Sequence, residues 1–307
     1  MVDLSVDLKF LKLKNPILTA SGTFGYGIEF LPFYDLSILG GVIVKGLFLN
    51  EKKGNPPPRL SETPSGLLNS IGLQGIGVKR FYEEVFPELK KFNTEILINV
   101  CGDIDEEYAE VVDFFKKEER ISGFELNISC PNIKKDGMCP AMEPDWTYRV
   151  VKIVREVTEK PIITKLSPNA GDIKSVAISA EEAGSDGISL INTILGMAVD
   201  WKEKKSRLGS LFGGLSGPAI KPVALRMVYQ VINAVQIPVI GIGGIFSGED
   251  VMEFLCVGAK AVEIGTANLV DPYACKRIID ELKEICERNS VERIENFIGS
   301  FKSERID

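Results

Sequence analysis

Histidine is absent from the 307 residues, so any proton transfer must fall to Cys, Lys, Asp, Glu, Tyr or a hydroxyl. His-based triads and most catalytic zinc sites are thereby excluded. Glutamine occurs only at Gln74, Gln230 and Gln236 beside abundant Lys and Glu, a balance that leans toward a heat-tolerant source. The six cysteines (Cys101, Cys130, Cys139, Cys256, Cys275 and Cys286) include no Cys-x-x-Cys pair. They fit thiols in a reducing compartment better than a disulfide frame or a zinc or iron–sulfur site. No apolar run approaches the ~20 residues of a spanning helix. The opening MVDLSVDLKF lacks an apolar core flanked by basic residues, so a cytoplasmic protein without a secretory leader is expected. A net charge of −7, with Lys and Arg scattered, argues against nucleic acid or an anionic membrane as partner.

What the chain does have is a repeated order: a short apolar run, a turn, then a helical pattern. The runs are 16–20 (PILTA), 41–45 (GVIVK), 95–100 (EILINV), 124–128 (FELNI), 161–166 (PIITKL), 187–192 (GISLIN), 237–242 (IPVIGI) and 261–265 (AVEIG). Near-continuous hydrophobicity over so few residues suits strands buried on both faces of a parallel sheet. Amphipathic stretches such as 105–119 and 145–159 separate them. Eight such units read as a closed (β/α)8 barrel, a TIM barrel, in one domain over 1–307; an open doubly wound sheet is the rival. Residues 4–15 alternate with period two, as in a hairpin closing the barrel floor. Two insertions, 46–77 with its rigid NPPPR and 193–217 with a polar hairpin and then a flexible GGLSG, follow strand C-terminal ends, the catalytic face of a barrel. The tail after Asn289 reads as a short charged helix with a frayed end.

The chemistry concentrates at those strand ends. Ser21, Lys45, Asn99, Asn127, Lys165 and Asn192 stand where packing alone calls for apolar or small residues. One polar residue there is ordinary capping. Six converging on one mouth call for a polar, partly anionic ligand, because a buried donor left unpaired costs ~1–3 kcal/mol. GIGGI (241–245) and Gly265 with Thr266 occupy the two usual phosphate loops of a barrel, where glycines let backbone N–H groups approach closely. That phosphate could belong to a substrate or to a flavin.

ELNISCPN (125–132), NSIGLQ (69–74), KLSPN (165–169), INTILG (191–196), GGLSGPAIKPVAL (213–225), GIGGI and VEIGTAN together resemble the motifs of class 1 dihydroorotate dehydrogenases. The likeness runs to about Asp271 and is nearer class 1B, whose catalytic subunit works with an electron-transferring partner. It implies oxidation of dihydroorotate to orotate through FMN, a step of pyrimidine synthesis. It also implies a partner subunit carrying FAD and a 2Fe-2S cluster, with NAD as acceptor, around a homodimer core in a heterotetramer.

By the same resemblance Cys130 is the base, and Lys45 and Lys165 complete the catalytic set. A thiol of pKa about 8.5 is only slightly ionised at neutral pH, and Lys45 nearby could raise that fraction. FMN contacts are implied at Ala20, Ser21, Gly22, Lys45, Gly46, Asn99, Asn127, Lys165, Ile191, Gly217, Gly243, Gly244, Gly265 and Thr266. Substrate contacts are implied at Lys45, Asn69, Ser70, Ile71, Gly72, Leu73, Asn127, Asn192 and Thr193. Taken singly, Cys130 would be an inert buried thiol, Lys165 a snorkelling strand end, and each asparagine a turn former. The segment 133–146 (IKKDGMCPAMEPDW) departs from the glycine-rich form of the family and adds Cys139, which could pair with Cys130 under oxidation. It is expected in a mobile lid that excludes water. Rival readings are a dihydropyrimidine (uracil) dehydrogenase, with a similar barrel and a Cys acid, and a non-catalytic flavin- or phosphate-binding barrel.

Overall fold

A computed structural model describes residues 2–129 and 139–302. All eight expected strands are present: β1 (Ile17–Thr19), β2 (Gly41–Ile43), β3 (Glu95–Val100), β4 (Gly123–Leu126), β5 (Ile162–Lys165), β6 (Gly187–Leu190), β7 (Val239–Ile242) and β8 (Ala261–Ile264). Each pairs in parallel with the next in sequence, and β8 returns to β1 through Ile264 and Thr19, so the sheet closes into a (β/α)8 barrel. Side chains of β5 and β8 are buried throughout, which is why their sequences lack the alternation of a half-exposed strand. Helices Asp105–Phe115 and Pro144–Arg155 turn apolar stripes inward, and each stops about one turn before its charged pattern ends.

The N-terminal hairpin pairs Val6 with Leu13 and Asp7 with Lys12. Its turn carries Phe10 against Gly187 at the start of β6, where an added Cβ would lie 3.0 Å from the ring. The hairpin thus stoppers the N-terminal end of the barrel, as its alternation implies. The tail departs from expectation. Instead of a charged helix, it has a 3₁₀ turn at Ile294–Asn296, with Ile294 buried and its N–H donated to Asp3 O at 2.9 Å. Pairing with the N-terminal segment takes backbone groups that a helix would have used internally.

The two insertions also behave differently from their separate readings. Strands Leu60–Thr63 and Gly66–Asn69 form a hairpin from the first, and Ile194–Gly196 and Gly213–Ser216 come from the second. Together they make one four-stranded antiparallel sheet, joined where Leu68 faces Leu215 and Asn69 faces Gly214. The GGLSG run is therefore a paired strand and not a flexible loop. Its glycines serve close packing: a Cβ on Gly214 would fall 2.1 Å from Thr193 Oγ1, and one on Gly213 would lie 2.8 Å from Asn69 O. The polar hairpin expected within 193–217 pairs Val199 with Ser206.

Candidate active site

The roof sheet and the C-terminal ends of the barrel strands enclose a cavity of about 520 Å³. That is within the range of ~300–1,000 Å³ usual for small-molecule and cofactor sites. Barrel strand ends contribute Ala20, Ser21, Gly22, Lys45, Gly46, Asn127, Lys165 and Ile191 to the wall, with Gly243, Gly244, Gly265 and Thr266 from the last two loops. The roof side contributes Asn69, Ser70, Ile71, Gly72, Leu73, Asn192, Thr193 and Gly217. Of the expected residues that are described, Asn99 alone is not on this wall. It is fully buried behind it, donating from Nδ2 to Glu125 Oε2 at 2.5 Å and accepting at Oδ1 from Asn127 Nδ2 at 3.3 Å. Cys130 lies outside the described residues.

Lys165, at the end of β5, is the charged centre of the floor. Its Nζ is 2.8 Å from Glu263 Oε2 of β8 and 3.4 Å from both oxygens of Glu125 of β4. Burial by itself would pull the ammonium down, but Glu125 and Glu263 outweigh it and hold Lys165 above the ordinary lysine range. For Glu125, burial raises the carboxyl; the charge of Lys165 and bonds from Ser189 and Asn99 overcome this and keep it below the ordinary range. Lys45, half-buried on the cavity wall, has no ion-pair partner among the described residues, and burial depresses its ammonium.

An amide chain runs along the other wall. Ser129 Oγ donates to Asn127 Oδ1 at 3.1 Å, Asn192 Nδ2 donates to Ser129 Oγ at 2.6 Å, and Asn192 Oδ1 accepts from Thr193 N at 2.7 Å. Asn169, also on the wall, donates to Thr193 O at 3.2 Å and accepts from Leu195 N at 3.0 Å, tying the floor to the roof sheet. Such amides keep their orientation while offering donors and acceptors to a polar ring edge. Ser70 Oγ is buried with no partner among the described residues.

Four glycines shape the third side. Gly22, Gly217, Gly243 and Gly244 have φ of 85°, 94°, 122° and 76°, in the left-handed region that favours glycine. A Cβ on Gly244 would lie 2.6 Å from Lys221 Cβ, and one on Gly243 would lie 2.9 Å from Ala224 Cβ, both on the helix Lys221–Ile232. At Gly244 the backbone approaches that of Lys221 closely, and none of these four residues puts a side chain into the cavity. Thr266 Oγ1 donates to Ser216 Oγ at 2.8 Å and joins this side to the roof. A phosphate-sized anion fits such a lining.

The family model for dihydroorotate dehydrogenase matches residues 3–286. The chain belongs to the dihydroorotate dehydrogenase family. Among its relatives, "Dihydroorotate dehydrogenase B (NAD(+)), catalytic subunit" of Geobacter metallireducens is 50% identical over 300 residues, covering 98% of each chain. The same subunit of Thermodesulfovibrio yellowstonii is 50% identical over 97% of this chain and 99% of that one. That of Bacteroides thetaiotaomicron is 47% identical over 98% and 100%. A dihydroorotate dehydrogenase of Eimeria tenella, crystallised with ferulenol, superposes with a TM-score of 0.76 at 20% identity, over 97% of this chain and 88% of that one, which speaks to the fold. As a member of this family the protein is an oxidoreductase with a flavin cofactor, of the type B catalytic-subunit kind. The uracil dehydrogenase and non-catalytic readings are not favoured.

Sequence reading missed Glu125, Ser129, Asn169, Ser189 and Glu263. Three of these are polar residues inside apolar strand runs, which is itself the signal. Asn169 ends KLSPN and Ser129 sits in NISCPN, both within quoted motifs. The lid segment divides: residues 133–138 lie outside the described part, whereas from Cys139 the chain is packed structure. Ala141 N donates to Ile128 O at 3.1 Å, and Trp146 Nε1 donates to Asp105 Oδ1 at 2.7 Å. Cys139 is buried, and its pairing with Cys130 involves a residue outside the described ones. Among the described residues no helix is long and apolar enough to cross a membrane.

Proposed function

We propose that this chain oxidises dihydroorotate to orotate at the barrel mouth with FMN as its flavin. The observation that carries the reading is Lys165, an ammonium buried at the floor of a cavity that has glycine-lined backbone on one side and an amide chain on another. FMN, when bound, supplies a two-electron acceptor for a hydride from one ring carbon. The residues present fit it. Gly243, Gly244, Gly265, Thr266 and Gly217 would hold its phosphate, with Ala20, Ser21, Gly22, Gly46 and Ile191 along its body. Lys165 places a fixed positive charge where negative charge develops during the reaction and needs no reorganisation to do so.

Cys130 takes the proton from the neighbouring ring carbon as its thiolate. Lys45 would lie between cofactor and substrate, where its ammonium would favour that thiolate. Asn69, Asn127, Asn192 and Thr193 orient the pyrimidine amides and carboxylate, and Ser70 to Leu73 close over them. Electrons pass to NAD through a partner subunit carrying FAD and a 2Fe-2S centre, around a dimer of catalytic chains in a heterotetramer, in the cytoplasm. Support for a partner comes from the relatives' name, "catalytic subunit". In the test, protein released from its cofactor by denaturation should yield FMN in equimolar amount, and turnover should be seen with dihydroorotate and not dihydrouracil. FAD in its place, or equal rates on both substrates, would contradict the proposal.

A further inference from the structure

Two carboxyl groups lie beneath the cavity floor with one cation between them. Glu125 and Glu263 are both fully buried, and Lys165 reaches both. Were both ionised, the three groups would carry a net negative charge in a place where solvent cannot screen it. That charge would stand where the proposed reaction delivers electrons.

Hydrogen bonding tells the two carboxyls apart. Glu125 accepts from Asn99 Nδ2 at 2.5 Å and from Ser189 Oγ at 2.8 Å, in addition to Lys165. Among the described residues, Glu263 accepts from Lys165 at Oε2 alone, and its Oε1 is buried without any donor. As a carboxylate, Glu263 leaves that oxygen unsatisfied. As a carboxylic acid it gains a donor, and Glu125 is its hydrogen-bonding neighbour.

We propose that Glu263 is a protonated acid at neutral pH, its proton bonded to ionised Glu125, so that Glu125, Glu263 and Lys165 form a neutral cluster with the ammonium facing the cavity. Glu263 is thus a positioning residue, acting through Lys165. Burial first, then the charge of Glu125, pushes Glu263 well above the ordinary carboxyl range. Among the described residues, the titratable groups that face Glu263 from the strands packed around it are Glu125 and Lys165. The arrangement keeps excess negative charge away from the flavin. Only this consequence rests on the function proposed above; the protonation state does not.

Glu263→Gln keeps a donor toward Glu125, whereas Glu125→Gln removes the ionised member. In the apoprotein at neutral pH, the infrared carbonyl stretch of a protonated carboxyl should be present in the parent and lost in Glu263→Gln. A carboxyl raised on folding holds a proton that the unfolded chain gives up above the ordinary value of 4.5, so its contribution to stability falls as pH rises from there. Urea stability of the parent should therefore decline, relative to Glu263→Gln, between about pH 5 and about pH 7. In the holoenzyme, the flavin midpoint potential should stay in place in Glu263→Gln, and in Glu125→Gln as well once Glu263 ionises beside Lys165. A parent without the carbonyl band, or an upward shift of the potential in Glu263→Gln, overturns the proposal. If Glu125→Gln does not fold, the apoprotein comparison with Glu263→Gln decides alone. A protein that holds no flavin or ignores dihydroorotate would sink the functional reading and leave these apoprotein results standing.

Discussion

Replacing Lys165 with methionine takes an ammonium from between two buried carboxyls while preserving most of the side-chain volume. Glu125 then keeps its bonds from Asn99 and Ser189 but loses the one cation beside it among the described residues. It must stay charged in a medium that solvates it poorly, or bind a proton. Protonating a carboxyl whose ordinary value is 4.5 at about pH 7 costs about 3.4 kcal/mol, from about 1.4 kcal/mol per pH unit. That agrees with the ~3–5 kcal/mol usually lost when one member of a buried ion pair is removed. The sign follows from proton binding. In the parent, Glu125 is held ionised below its ordinary value, so it adds no slope near neutrality. In Lys165→Met the folded state binds a proton that the unfolded chain releases, and stability falls as pH rises above about 4.5. The loss should be about 3 kcal/mol at about pH 7 and shrink below about 1 kcal/mol near pH 5. Urea unfolding of the apoprotein at both pH values measures it. A loss of the same size at both would refute the electrostatic account and leave only a packing defect. Flavin reduction by dihydroorotate, followed by stopped flow, should slow by ~10²–10³, the usual cost of removing one preorganised group that stabilises developing charge.

The other predictions concern the base and the phosphate side. Cys130→Ala should retain flavin and fold but lose ~10²–10⁴ in dihydroorotate oxidation, read by steady-state turnover; unchanged turnover would remove Cys130 from its assigned role. Gly244→Ala places a methyl 2.6 Å from Lys221 Cβ at a φ of 76°, so the loop must shift. Flavin should dissociate at least tenfold more readily, measured by fluorescence of released flavin, with a stability loss of ~1–3 kcal/mol.

Much of this architecture was readable from residues alone because barrel strands leave a strong local trace. PIITKL and GISLIN are short, apolar and bounded by turns, and nothing but burial on both faces suits them. The roof sheet left no such trace. Leu68 and Leu215 are far apart in sequence, and a run such as GGLS reads as a loop until a partner strand explains its glycines. Similarly, the charges after Asn289 suggest a helix, whereas a backbone bond from Ile294 to Asp3 fixes a turn. At the cavity, residues at strand ends stood out, since polar groups there break the apolar pattern. Glu125 and Glu263 break the same pattern one or two residues earlier, inside the strands, and only the barrel's closure shows that they share Lys165.

The central claim, a flavin that accepts electrons from dihydroorotate beside Lys165, is tested most directly by anaerobic titration of the purified protein followed in the visible. The account predicts that dihydroorotate bleaches the yellow flavin band stoichiometrically and that orotate accumulates in equal amount. A flavin band that survives excess dihydroorotate, while dithionite still bleaches it, would contradict the account.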